Sequence, residues 1–320
     1  MLVVPVFGWA AWRDVETRRV PNRTWYPLAA LAVLLLIWDG WQAWTGTAFE
    51  TRAFAIRTAV SLGFVAPLVL AFWWFRAFGG ADAKAFLVIA ALFPTFPRYA
   101  VAGWEFPLQQ TLLGVFSLTI LTNTVLLGAL YPLAVLGRNA AAGRFSSVMA
   151  VGKPVRWDDV PDAHGRLLET PEGVTRNGVD LDAVRMYLRW RGLTLSELRE
   201  RADHFRDPAT LPAEPNPPGD GSVGVEAVRA DGGAASEPID RAEAPDDDPW
   251  GAAAFLDDID HSAYGTTPEG LRDGLDVLIA EERVWVSPGI PFIVPLFFGT
   301  LVALTYGDLL FGAMEWLGIV

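Results

Sequence analysis

Two aspartates have the surroundings to act together. Asp14 lies in the run Asp14-Val15-Glu16-Thr17-Arg18-Arg19-Val20-Pro21-Asn22, and Asp82 in Gly79-Gly80-Ala81-Asp82-Ala83-Lys84. Each comes after the end of an apolar stretch. An ionisable residue beside hydrocarbon is costly to place and is therefore a functional candidate. Two carboxylates within hydrogen-bond reach cannot both ionise easily, so one pKa rises and the pair shares a proton. One member can then take a proton from water while the other polarises a scissile carbonyl. Such a pair titrates as a unit, which leaves the choice of base open. Gly79 and Gly80 allow close backbone approach and positive φ beside Asp82. Pro21 stops a helix from continuing, and Asn22 is suited to cap the next helix. Each aspartate also has a structural reading: Asp14 as a helix-end charge with Arg13, Arg18 and Arg19 toward lipid headgroups, and Asp82 as a cap on the helix it opens. Glu16, the third carboxylate nearby, reads as solvent-facing.

The elements that must hold these residues are membrane helices. About half of the 320 residues are apolar. They fall in long blocks rather than at the period of an amphipathic helix or strand, and a hydrocarbon core of ~30 Å needs about 20 such residues in a row. The blocks predict an all-α membrane protein with about six transmembrane helices: Leu2–Trp12, Trp25–Trp38 or on to Trp44, Thr58–Phe75, a stretch from Ala85 that Pro94 and Pro97 kink or end before it re-enters toward Phe106, Leu108–Leu136, and Ile290–Leu317. The first is short for a span, which predicts either a partial crossing or further residues upstream. No removable signal peptide is evident in Met1–Trp12. Basic residues concentrate in alternate loops: Arg13, Arg18, Arg19 and Arg23, then Arg76 and Lys84, then Arg138, Arg144, Lys153 and Arg156. The loops between carry only Arg52 and Arg98. By the positive-inside rule the first set is cytoplasmic. Asp14 and Asp82 then share the cytoplasmic face, and Asp39, Glu50 and Glu105 lie opposite.

The predicted division is residues 1–136 for five helices with the site loops, 137–289 for a polar, partly disordered cytoplasmic insertion, and 290–320 for the sixth helix. Within the insertion, Val179–Phe205 reads as one charged amphipathic helix and Thr267–Arg283 as another, with Thr267 as N-cap and Pro268 as first helical residue. Asp207–Pro249 is rich in Pro, Gly, Ala and Asp and is predicted disordered. The formal charge is −12, its acidic residues gathered between Asp158 and Glu282, and the only lysines are Lys84 and Lys153. An acidic, lysine-poor surface fits a high-salt archaeal cytoplasm; a GC-rich genome also favours Arg over Lys. There is no cysteine, which excludes disulfides, thiolate nucleophiles and Cys-based zinc sites. His164, His204 and His261 lack metal-ligand spacing, and no metal or cofactor is implied.

The two aspartate motifs resemble those of the prepilin peptidase family of membrane aspartic peptidases of Gly-x-Gly-Asp type, and most closely its archaeal preflagellin and type IV prepilin peptidase branch. The family places one aspartate shortly before an apolar-Pro-Asn element, here Asp14 with Val20-Pro21-Asn22. It places the other in Gly-x-Gly-Asp followed by x-Lys, here Gly79 to Lys84. The run Val286-Ser287-Pro288-Gly289-Ile290-Pro291-Phe292-Ile293-Val294-Pro295 is similar to the start of the last span in the archaeal branch. The resemblance implies that Asp14 and Asp82 are the catalytic pair, with Gly79, Gly80, Lys84, Pro21 and Asn22 in support. It implies removal of a basic leader from a prepilin or preflagellin (archaellin) precursor at the cell membrane, with no cofactor or nucleic acid. Ala81 departs from the motif's second glycine. The cysteine-paired zinc element and the N-methyltransferase-like region of many bacterial members are absent, which predicts cleavage without methylation. Two other readings compete: a non-enzymatic transporter or pilus or archaellum assembly subunit, and an intramembrane protease acting on other helices. Clustering of the acidic motifs at one face argues against the first, and their short loops against the second.

Overall fold

A computed structural model describes residues 3–17, 20–75, 78–223, 248–259, 263–289 and 292–319. The chain is mostly helical and divides into two compact units, Met1–Tyr131 with Ile290–Val320, and Pro132–Gly289. In chain order, α1 is Val3–Thr17, α2 Trp25–Thr45, α3 Ala48–Val60, α4 Ala66–Trp74 and α5 Gly80–Leu92. Strands β1 (Tyr99–Val101) and β2 (Trp104–Phe106) precede α6 (Phe116–Ala141). Then come β3 (Lys153–Arg156), β4 (Arg166–Leu167), β5 (Glu169–Thr170), β6 (Gly173–Val174), α7 (Leu181–Arg191), α8 (Leu195–Glu200), α9 (Ala202–Arg206), α10 (Ala252–Asp258), α11 (Pro268–Ala280) and β7 (Arg283–Ser287). The chain closes with α12 (Ile293–Thr305) and α13 (Leu309–Trp316).

Among the described residues three helical stretches are long and apolar enough to cross a membrane: Asn22–Thr45, Ala48–Trp74 and Phe116–Ala141. Ile293–Thr305 is apolar but shorter. Of the about six spans anticipated from the apolar blocks, these three have the length and composition of a crossing. The Ala48–Trp74 stretch passes from α3 to α4 through a π-helical turn, Ser61–Val65, where the Ser61 hydroxyl meets the Ala90 carbonyl at 2.6 Å and the Ser117 hydroxyl at 2.7 Å. Exposed Trp38, Trp41 and Trp44 close α2, and exposed Trp73, Trp74 and Phe75 close α4. Aromatic side chains of this kind suit the headgroup level.

Four anticipated spans differ in detail. The third, expected over Thr58–Phe75, begins already at Ala48, where Thr47 caps α3. The stretch from Ala85 ends at Leu92 rather than re-entering. Pro94 and Pro97 cannot donate to a helix, and the chain turns into the antiparallel β1–β2 hairpin. The fifth helix begins at Phe116, not Leu108. The Leu108 and Gln109 N–H groups instead donate to the Thr305 and Tyr306 carbonyls at 3.2 and 2.6 Å, which would otherwise stand unsatisfied at the end of α12. The last apolar stretch is broken at Gly307, whose φ is +108° and where a Cβ would fall 1.8 Å from the Gln109 carbonyl oxygen. The break is pinned by α6. The Asn123 amide donates to the Gly307 carbonyl at 2.8 Å, and the Thr119 hydroxyl donates to Asp308 at 2.7 Å, while Asp308 accepts from the Phe311 N–H and so caps α13.

In the second unit β7 is the middle strand of a three-stranded antiparallel sheet, with β3 on one side and β4 on the other. The predicted helix over Val179–Phe205 is three helices. Asp180 caps α7, and Gly192 ends it in the left-handed conformation, so α8 and α9 come after it as separate turns. Helix α11 starts as its sequence dictates, with the Thr267 hydroxyl accepting from the Gly270 N–H at 3.1 Å and Pro268 in the first turn. Helices α7 and α11 pack their apolar faces with Trp250 and Phe255 into a core that includes fully buried Tyr187, Trp190, Leu271 and Leu275.

Of the stretch predicted disordered, residues 224–247 lie outside the described residues, but 207–223 is ordered. Two buried arginines explain the difference. Arg185 donates to the carbonyls of Gly221 at 2.6 Å and Ala163 at 2.7 Å, and Arg191 to the Thr210 hydroxyl at 3.0 Å. A segment poor in apolar residues is fastened by charge-assisted hydrogen bonds, one to the Gly221 carbonyl and one to the Thr210 hydroxyl, which composition alone does not register.

Candidate active site

Helix α1 buries Val3, Phe7, Ala10, Ala11 and Asp14, the helical spacing of a single face. Asp14 is the one charged residue on that face and is only 7% exposed, while Val15 and Glu16, next in the chain, point outward. The Phe7 ring meets Trp25 at 5.8 Å, which ties this face of α1 to the first turn of α2. Gly8 on α1 lies against the Phe297 ring of α12.

Asp82 sits in the first turn of α5. Its Oδ2 accepts the Gly79 N–H at 3.0 Å, so the carboxylate caps the helix it stands on. The positive φ expected of the glycines is not present: Gly79 has φ −68° and Gly80 is helical. What Gly79 supplies is close approach, since a Cβ there would lie 3.0 Å from the Asp82 oxygen. Phe78, just before it, is buried and stacks on Phe86 at 5.4 Å with the ring planes 7° apart. It also touches Phe72 and Phe292. This aromatic hub fixes the start of α5 against α4 and the start of the last apolar stretch. Sequence reasoning misses Phe78; its signal is a large ring directly preceding the double glycine.

Pro21 opens a short 3-10 turn, Asn22–Thr24, and its carbonyl accepts the Thr24 N–H at 3.0 Å. Asn22 does not act as the anticipated cap. Its side-chain oxygen accepts instead from Lys84 Nζ at 2.6 Å. That bond joins the segment after Asp14 to the helix bearing Asp82, and α2, which begins three residues after Asn22, packs along α5. Of the residues singled out in sequence, the structure therefore couples Asn22 with Lys84 and Gly79 with Asp82. It sets Asp14 on the inward face of the preceding helix. Arg18, Arg19, Arg76, Ile290 and Pro291 lie outside the described residues, and among the described residues no group of three or more His, Asp or Glu is placed to hold a metal ion.

No curated protein sequence matches the chain. Two family descriptions do, in the order of the motifs. The type IV leader peptidase family matches residues 1–133, which include both aspartates and their flanks. The archaeal C-terminal region, type II, of the same peptidase family matches residues 259–309, from the end of the second unit through the break at Gly307. Together they span more than half of the sequence, and the chain belongs to the type IV leader peptidase (prepilin peptidase) family, in its archaeal branch.

Proposed function

We propose that this protein is a multi-pass membrane aspartic endopeptidase that removes the basic leader from archaeal prepilins and preflagellins at the cytoplasmic edge of the bilayer. The observation that supports it most is the placement of Asp14. A carboxylate on an otherwise apolar, buried helix face is held there against a desolvation penalty of several kcal/mol, at a position whose next segment is bonded to the helix of Asp82. In this reading the two carboxylates share one proton. The ionised one takes a proton from water as the water oxygen attacks the scissile carbonyl carbon, and the protonated one donates its hydrogen bond to the carbonyl oxygen. Collapse of the tetrahedral intermediate returns a proton to the leaving amine, which releases the leader carboxylate and the mature amino terminus.

Gly79 lets backbone approach Asp82, Phe78 and Trp25 fix the two helix starts, and Lys84 with Asn22 keeps them together. The basic loops of the sequence put this site on the cytoplasmic side, where a short basic leader meets a hydrophobic pilin helix. Methylation of the new amino terminus is no part of the reaction. The test is to purify the protein in detergent with a precursor carrying a basic leader. Peptidase action predicts a smaller product whose amino terminus, read by mass spectrometry, is unmethylated and begins at the leader boundary. An unchanged precursor under conditions where it binds the protein would instead favour the assembly-subunit reading.

A further inference from the structure

The last turns of α6 and the loop after it have properties the catalytic reading does not use. From Phe106 to Trp157 there is no Asp or Glu, whereas the rest of the second unit is strongly acidic. Within this stretch Arg138 and Arg144 are exposed and Lys153 is half-buried. The loop is not slack. Asn139, fully buried, donates to the Met149 and Gly152 carbonyls, each at 2.8 Å, and the Arg144 N–H returns to the Asn139 carbonyl at 2.9 Å. A loop fastened in this way nevertheless holds Phe145 outward, with 76% of its surface exposed, and Leu133 on the preceding helix is 61% exposed.

We infer that this loop is a membrane-surface anchor: Phe145 enters the headgroup–acyl boundary while Arg138 and Arg144 bind the phosphates of anionic lipids. Three observations select a lipid occupant. The loop continues directly from a helix long and apolar enough to span the bilayer. Its charge is complementary to an anionic leaflet, and no carboxylate of its own offsets it. A single protruding ring beside basic side chains is the form of an interfacial wedge rather than of a groove for a helix. The consequence is a fixed attachment of the acidic unit to the bilayer surface at its first folded loop, independent of the aspartate pair.

The chain has no cysteine, so one labelled position is unambiguous. Phe145→Cys carries a small fluorophore in the full-length protein, reconstituted into nanodiscs containing phosphatidylglycerol, with Glu172→Cys, on an exposed turn, as the aqueous control. The anchor predicts quenching at position 145 by shallow doxyl-labelled lipid and loss of the iodide quenching seen at 172. Arg138→Gln and Arg144→Gln should each lower the inserted fraction relative to the exposed one by about fivefold, and uncharged lipid should do the same. Iodide quenching at 145 equal to that at 172 overturns the proposal. So does protection that arises only when a leader-bearing precursor is added, since the occupant would then be a protein.

Discussion

The bond between Lys84 and Asn22 makes a quantitative prediction. Its length, 2.6 Å, and the ammonium donor belong to the stronger class of hydrogen bonds. Both side chains are exposed, however, so water competes for each partner. The net worth then falls below the usual range for a bond to a charged group, to that of an ordinary hydrogen bond, about 1 kcal/mol. If that energy is used to hold the two aspartate-bearing segments in register, its loss lowers kcat/KM roughly fivefold. Lys84→Met keeps the aliphatic stem and removes the donor; Asn22→Ala removes the acceptor. Each single variant should lose about fivefold, and the double variant should lose no more than either, a coupling of about 1 kcal/mol. Lys84→Arg, which keeps a donor, should recover part of the rate. The assay is the initial rate of leader removal from a purified precursor, with thermal unfolding run beside it to show that the variants remain folded. A double variant whose loss is the product of the two single losses would refute the coupling, because the residues would then act separately.

Other expectations concern the second unit. Burial raises the Asp180 carboxyl from 3.8 to about 6. Because its folded pKa exceeds the unfolded one, the protonated form is favoured in the fold; stability is undiminished below about pH 4, falls as the pH rises through about 6, and stays lower above, by up to about 3 kcal/mol. Asp180→Asn can keep the cap on α7 and should remove that slope, so its unfolding midpoint should exceed the parent's at pH 7 and match it near pH 4. Arg191→Met removes the donor to the Thr210 hydroxyl and to the Phe205 carbonyl, a loss of about 1–3 kcal/mol that should show as faster proteolysis between 207 and 223. The net charge of −12 predicts that about 1 M salt, where the screening length is about 3 Å, raises the thermal midpoint; a midpoint that fell with salt would contradict the high-salt reading of the composition.

How much was legible in the sequence depended on the kind of signal. Apolar run length located α2 and the existence of the Ala48–Trp74 helix and α6, though not their starts at Ala48 and Phe116, because crossing hydrocarbon imposes a length that composition records directly. Local capping chemistry located α11, where Thr267 and Pro268 specify a helix start within four residues. Signals that depend on distant partners were not legible. The helix break at Gly307 needs Gln109 and Asn123, nearly two hundred residues away, to satisfy the freed backbone. The order of 207–223 needs Arg185 and Arg191, which periodicity alone reads as the polar side of a helix. The short strand β4 gains its partner only when β7 arrives far downstream. At the site, the residue types were readable but their local roles were partly exchanged. Asn22 meets Lys84 instead of capping, Asp82 caps its own helix, and Gly79 serves close approach rather than positive φ. Asp14 was identified by its neighbours in the motif, yet its position on the buried face of α1 comes from the spacing of Phe7, Ala10 and Ala11 before it.

The central claim is that Asp14 and Asp82 act as one pair, and separate Asp14→Asn and Asp82→Asn variants test it most directly. Asparagine keeps the size and the hydrogen-bonding oxygen of each side chain but cannot exchange a proton at working pH. Each variant should still insert in the membrane and still bind the precursor, and each alone should abolish leader removal, with the double variant no worse than either. Full leader removal by either single variant would contradict the account.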